Sequence, residues 1–298
     1  FDYMEPPTRE ALVRALETLY MLGALDRDGN ITRPLGERMA QLPIEPQYAK
    51  TLLTADTYHC SSEVLTIVAM LSAESVFVNL LLGAHDEAAS SRASAKLSAA
   101  VEARSKFSSP DGDQMTMLAV YNEYSGLKRR GKVATVEGDN PQQQQQKGVA
   151  YAVHEDPLKR MWCQDHAVNY RAMMRVENVR AQLEQYFAQM GLVPTRCPKD
   201  DTDSVRKCFV AGFFANTATL RADRTYRTMV NNRLVAVHPS SVLFGVRPEP
   251  QCLLYNELVQ TTRSYIREVM VIDHTWLLEL APHLFTVRSK GQQTPAAT

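Results

Sequence analysis

The chain has no two cysteines close enough in sequence to share a metal: Cys60, Cys163, Cys197, Cys208 and Cys252 are odd in number, lie far apart and form no CxxC pair. That argues against a zinc knuckle or a thiol-exchange motif and fits a reducing compartment. Long apolar runs are missing too. The longest, Val76 to Leu82, is interrupted by Asn79 and falls far short of the roughly 20 residues of a spanning helix. A soluble, intracellular protein without a membrane partner is the expectation. No charged stretch followed by an apolar one opens the chain, so no signal peptide is expected, and a start at Phe1 suggests a piece of something longer. Net charge is absent as well. Lys+Arg 33 balance Asp+Glu 33 over 298 residues, so no whole-molecule field draws in polyanions, and binding to them must rest on local patches.

Catalytic signatures are equally scarce. There is no G-x-S-x-G elbow and no H-E-x-x-H pair. Gly126 to Lys132 matches the first seven positions of a phosphate-binding loop, but Val133 stands where a hydroxyl must reach magnesium, and a helical segment precedes it instead of a strand. Asp86-Glu87 imitates a metal-binding pair at a strand end without a parallel-sheet pattern around it, and reads as a solvated turn. Cys163 with His166 beside Trp162 reads as core and rim, and Asp200-Asp201 lies in a linker where solvation keeps carboxylates ordinary. No self-contained active site is legible.

What is present is apolar mass and helical period. Hydrophobic residues make up 45% of the chain, enough for two or three cores. Thr8 offers a cap for a helix carrying Leu12, Leu16, Leu19 and Tyr20 up to Gly23. Asp28-Gly29 turns a hairpin between Ala24-Leu25 and Ile31, and Thr32 caps a short helix with Pro34 in its first turn. Helix, hairpin and helix predict a winged-helix unit over residues 1–48. A helical bundle is expected over 49–195, with caps at Ser61 and Ser62, periodic segments Met115 to Tyr124 and Trp162 to Phe187, and two stretches too poor in large apolar residues to pack: Ala88 to Ser109 and the insert 128–149 with its run Gln142 to Gln146. Beyond a Pro-containing linker, Asp203 caps one more helix. Strand-like runs follow at Tyr226-Val230, Leu234-Val237, Cys252-Val259 and Tyr265-Ile272, with a turn at Asn231-Asn232, and they predict a small barrel over 196–287 followed by a disordered tail, 288–298.

Charge is uneven along this plan. Between Ser204 and Arg233, Arg206, Lys207, Arg221, Arg224, Arg227 and Arg233 face the single acid Asp223, whereas residues 1–48 carry eight acids against five arginines. Basic residues beside Tyr226 on a barrel suit single-stranded nucleic acid, held by backbone charge and base stacking. Arg171, Arg175 and Arg180 lie on one long helix, the first two on the same face. A solvated charged face is the plainer reading of both sets.

Many ordered blocks resemble the region that follows the second RecA-like domain of DEAH-box RNA helicases. They begin with Phe1-Asp2-Tyr3-Met4-Glu5-Pro6-Pro7, Leu22-Gly23-Ala24-Leu25-Asp26, Pro34-Leu35-Gly36 and Glu63-Val64-Leu65. They continue through Gly112-Asp113, Trp162-Cys163, Asn169-Tyr170, Gly212-Phe213-Phe214-Ala215-Asn216 and Tyr226-Arg227-Thr228, then His238-Pro239-Ser240-Ser241, Tyr255-Asn256-Glu257-Leu258-Val259 and Thr261-Thr262. Gln114 departs from the pattern, which has His after Gly-Asp. The resemblance implies a multi-domain α+β chain: winged helix, ratchet-like helical bundle and OB-fold, with the RecA-like domains absent. ATP and Mg would bind in those missing motor domains, and this chain alone would be inactive. It implies a nuclear role in RNA unwinding, in pre-mRNA splicing, with single-stranded RNA, the motor domains and a G-patch-type activator as partners. One channel wall would carry Asn169, Arg171, Arg175 and Arg180. The other would carry Tyr226, Arg227, Thr228, His238, Ser240, Ser241, Thr261, Thr262 and Arg263. The rival expectation is a protein-interaction scaffold with little RNA binding of its own.

Overall fold

A computed structural model describes residues 7–73, 76–78, 90–127, 156–198 and 201–285. The insert 128–149, the tail 288–298, the pair Asp86-Glu87 and all but the first two residues of the loop-like stretch 126–132 lie outside them.

The first helix, α1 (Arg9–Met21), starts at Thr8, whose hydroxyl accepts from the Ala11 amide at 3.2 Å. Gly23, at φ 77, ends it in the left-handed region open to glycine. The Asp26 carboxylate accepts from the amides of Asp28 (2.9 Å) and Asn30 (2.8 Å), closing a turn that lets Leu25 pair antiparallel with Ile31. The next helix, α2 (Leu35–Gln41), has Pro34 at its cap position rather than Thr32. Thr32 serves it differently: its hydroxyl accepts from the Gly36 amide at 3.0 Å and donates to the Gly23 carbonyl at 2.6 Å.

A helical layer follows: α3 (Pro46–Thr57), α4 (Ser61–Leu71), α5 (Ser90–Ser105), α6 (Asp113–Gly126), α7 (Pro157–Asp165), α8 (Tyr170–Gln189) and α9 (Thr202–Phe213). Every residue of α4 from Val64 to Met70 is buried, so this helix runs through the centre. Its cap position is Cys60. Ser61 and Ser62 instead bind an extended strap, the Ser62 amide donating to the Thr195 carbonyl (2.9 Å) and the Thr195 amide to Ser61 Oγ (2.9 Å). The α5 helix corrects the expectation that Ala88 to Ser109 stays unpacked. Alanine has the highest helix propensity, Ala100 is buried, and Arg104 ties the helix down by donating to the Ala167 carbonyl at 2.9 Å. The periodic stretch Trp162 to Phe187 is two helices. They break at Ala167, which has φ 50, and Val168, which bridges to Phe77. The cap of α9 is Asp201, which accepts from the Ser204 amide at 3.1 Å, while Asp203 sits in the first turn.

The last unit is a closed barrel of β1 (Thr217–Leu220), β2 (Tyr226–Thr228), β3 (Leu234–Val237), β4 (Cys252–Gln260) and β5 (Ser264–Val271), in the order β1-β2-β3-β5-β4 and antiparallel except where β3 meets β5. A short α10 (His274–Leu280) follows. Ala218, Tyr226, Val235, Leu253 and Ile266 fill the barrel interior. A larger core joins the parts, running from Leu22 and Met39 through Leu52, Leu65 and Phe187 to Phe209, Leu254 and Met270.

Candidate nucleic-acid interface

The bundle and the barrel meet where the start of α6 enters the β4–β5 seam. Gly112 stands at φ 119, and a side chain there would overlap the Val269 backbone, so only glycine admits this approach. The next residue, Asp113, accepts at 2.8 Å from the amide of Val242 and at 2.8 Å from that of Val269. Burial pushes its carboxyl upward, while those two amides and the Ser241 hydroxyl pull it back. Gln114 is fully buried, and its Nε2 donates to Asn256 Oδ1 and to the Glu268 carbonyl, both at 2.6 Å. Asn256 in turn donates to the Tyr48 hydroxyl on α3 at 3.4 Å.

Above this seam lies a cleft of about 1770 Å³ where all three parts converge. The turn Leu42 to Glu45 and Tyr48 form one edge. The ends of α4 and α5 contribute Met70 to Ala73, Val101 and Arg104, and α8 contributes Val179, Gln182, Leu183 and Tyr186. The barrel wall is His238 to Val242 with Asn256, Glu257, Arg267 and Glu268. Polarity along this wall is mixed. Arg267 and Glu257 pair at 3.1 Å, and Arg267 Nε is buried with no hydrogen-bond partner among the described residues. Loss of solvent holds His238 below its ordinary value, with Arg267 adding to the effect. Loss of solvent also raises Glu268 to about 7, with Glu257 adding to it.

Of the residues predicted for two channel walls, His238, Ser240 and Ser241 line this cleft. His238 Nδ1 accepts from the Ser240 amide at 3.1 Å and its ring meets Tyr265 edge-on at 5.6 Å, so the turn is rigid. The others lie elsewhere. Asn169 caps α8, accepting from the amides of Arg171 (3.1 Å) and Ala172 (3.3 Å). Arg171 and Arg175 stand exposed near the start of α8, on the stripe that continues through Val179, Gln182 and Tyr186 of the cleft wall. Arg180 points inward, donating to Thr66 Oγ1 at 2.9 Å and pairing with Glu184 at 2.8 Å. Tyr226 is in the barrel core with its hydroxyl on the Pro250 carbonyl at 2.8 Å, and burial raises that hydroxyl to about 12. Thr228 is buried and accepts from the Arg233 amide at 2.9 Å, and Arg227 reaches the Asn232 carbonyl at 3.4 Å. Thr261, Thr262 and Arg263 form the exposed β4–β5 tip, where the Thr261 hydroxyl donates to the Arg263 carbonyl.

The basic stretch 204–233 is less basic than its sequence. Arg206 pairs with Asp111 at 3.1 Å, Lys207 with Glu279 at 3.1 Å and Arg224 with Glu249 at 2.8 Å. Arg221, Arg227 and Arg233 form no ion pair among the described residues. Gln182 and Arg267 fall within blocks of the family resemblance, Gln182-Leu183 and Tyr265-Ile266-Arg267, without a role assigned to them, and nothing in the sequence singles out Arg104 or Glu268. The signal of those last two is purely spatial, since the cleft brings them together from α5 and β5. Among the described residues no three His, Cys, Asp or Glu side chains are placed to hold a metal, and no helix is long and apolar enough to cross a membrane.

Family profiles match three consecutive stretches: the winged-helix helicase-associated domain over residues 15–44, the ratchet-like helicase-associated domain over 45–117, and an oligonucleotide/oligosaccharide-binding fold over 205–284. The Homo sapiens protein named "Probable ATP-dependent RNA helicase DHX35" is 35% identical over 285 residues, 96% of this chain and 34% of its own length. The Arabidopsis thaliana "Pre-mRNA-splicing factor ATP-dependent RNA helicase DEAH10" is 35% identical, over 96% of this chain and 35% of its own. The Mus musculus "ATP-dependent RNA helicase DHX33" is 34% identical over 287 residues, again 96% of this chain and 35% of its own. The chain thus spans about a third of the length of the curated relatives it matches.

Proposed function

Because this chain belongs to the DEAH-box RNA helicases, whose winged-helix, ratchet-like and OB-fold domains it carries, we propose that it is the RNA-gripping region of such an enzyme. Single-stranded RNA occupies the cleft between α8 and the barrel, and RecA-like motor domains of the same protein supply ATP and Mg chemistry. In this reading residues 1–48, 49–195 and 196–287 are the three working parts, and the setting is nuclear pre-mRNA splicing. The observation that carries it is the convergence of all three parts on one cleft large enough for several nucleotides, with His238, Ser240, Arg104 and Arg267 on its walls. Exposed Arg171 and Arg175 extend the grip along α8 toward phosphates at its rim, where charge acts without reading sequence.

Binding of oligo-U at increasing salt tests this. Arg171→Ala with Arg175→Ala should weaken binding and lower the slope of log affinity against log salt by about 1 for each phosphate the arginines no longer neutralise. A salt-independent affinity, or none, sinks the RNA reading.

A protein-docking reading has its own support. The α1 helix buries none of its residues and exposes Leu12, Leu16 and Tyr20 on one stripe, in the part of the chain where acids outnumber arginines. That apolar stripe suits a protein partner such as a G-patch-type activator. Capture of a G-patch peptide that fails after Leu16→Asp checks it.

A further inference from the structure

Glu268 is the outlier of the cleft. It lies inside β5 yet has φ 53, a left-handed conformation that costs a residue with a side chain on the order of 1 kcal/mol. The surroundings impose it. Gln114 holds its carbonyl at 2.6 Å and Asp113 holds the amide of the next residue, Val269, at 2.8 Å, while the β4–β5 pairing runs through Tyr255↔Val269 and Glu257↔Arg267 and skips the position between them. Its side chain lines the cleft, and its carboxylate accepts no hydrogen bond and forms no ion pair among the described residues. Strain held in place by a buried clasp, with a polar group left unpartnered toward a cavity, is the pattern of a binding position.

The charged and titratable groups of the cleft are Glu45 before α3, Tyr48 on α3, Arg104 from α5, Asp113 from α6, Tyr186 from α8, Glu257 from β4, Arg267 from β5 and His238 after β3. Carboxylates outnumber cations there. An ionised Glu268 would repel a phosphate, whereas a neutral one donates an O–H to it. Resting on the RNA reading above, we propose that Glu268 is a proton-carrying contact of this cleft, which receives RNA phosphate in its carboxylic acid form and releases it on ionisation. Binding above neutrality therefore takes one proton from solvent, and bound RNA in turn makes Glu268 harder to ionise, as linkage requires. The value of about 7 places this exchange near neutral pH, while His238, held below its ordinary value, titrates lower.

The test is fluorescence anisotropy of labelled oligo-U with the 298-residue chain. If only the acid form binds, affinity at about pH 8 is about tenfold weaker than at about pH 6. Glu268→Gln, neutral at every pH, should bind at the higher pH about as tightly as the parent does at the lower one. A Glu268→Gln chain that keeps the parent's pH slope, or a parent with a flat profile, overturns the proposal and leaves the RNA reading intact. No binding at any pH overturns both. Calorimetry of the parent in two buffers of unlike ionisation heat gives an answer that needs no variant. Proton uptake on binding supports the proposal, and its absence overturns it.

Discussion

Arg175 and Arg180, little more than a turn apart on one helix, have opposite fates. Arg180 is enclosed by Thr66, Ser62 and Glu184, and Arg175 faces solvent. Replacing Arg180 by Ala should cost about 1–2 kcal/mol, since it removes a charged hydrogen bond at a half-buried place, while Arg175→Ala should stay within about 0.5 kcal/mol. Urea denaturation of the two variants checks the split, and equal losses would mean that Arg175 is not free of folded-state contacts. Glu268 makes a second prediction at this scale. Its ordinary value of 4.5 rises to about 7 on folding, so the native state keeps a proton that the unfolded chain gives up. Stability is therefore unpenalised below about 4.5, falls as pH rises toward about 7 and is flat above, by up to about 3 kcal/mol. Thermal unfolding of Glu268→Gln should show a gain over the parent at about pH 8 that vanishes at about pH 4.

Between elements, α9 comes close to α3. A side chain added at Gly212 would overlap Thr51 and the Gln47 carbonyl. Gly212→Ala should therefore destabilise by about 2 kcal/mol or more although alanine favours helices, because two buried backbones must part. A rise in melting temperature would show that the contact is slack. Elements governed by local rules were legible in sequence: Thr8 as a cap, Asp26 to Ile31 as a wing, and Asn231-Asn232 as a turn, where Asn232 takes φ 49. Those set by distant partners were not. Thr217 to Leu220 is too short to show a period and becomes a strand by pairing with β2 on one side and β4 on the other. The break at Ala167 interrupts an unbroken apolar spacing because Val168 meets Phe77. Of the cleft, the turn His238 to Ser241 could be singled out, but Glu268 could not. Its role depends on φ and on Gln114, which no spacing along β5 encodes.

Over the whole molecule, one core runs through the winged helix, the bundle and the barrel. The clasp at Asp113 ties the bundle to the barrel a second time, and the strap at Thr195 fastens the end of the bundle to α4. Chemical unfolding should therefore show a single transition, with tryptophan emission from Trp162 in the bundle and Trp276 beyond the barrel moving together. A chain cut after residue 195 should fail to fold, because it loses Phe209 and Leu254 from that core; an isolated fragment with a cooperative melt would contradict this.

The packing of α9 on α3 also bears on descent. A helix that leads into the barrel packs on the first helix of the bundle, so the boundary between these two parts does not divide the core. A recombination event that brought in a foreign barrel would have to bring its own α9 and a matching α3, and change at Thr51 should be answered by change near Gly212.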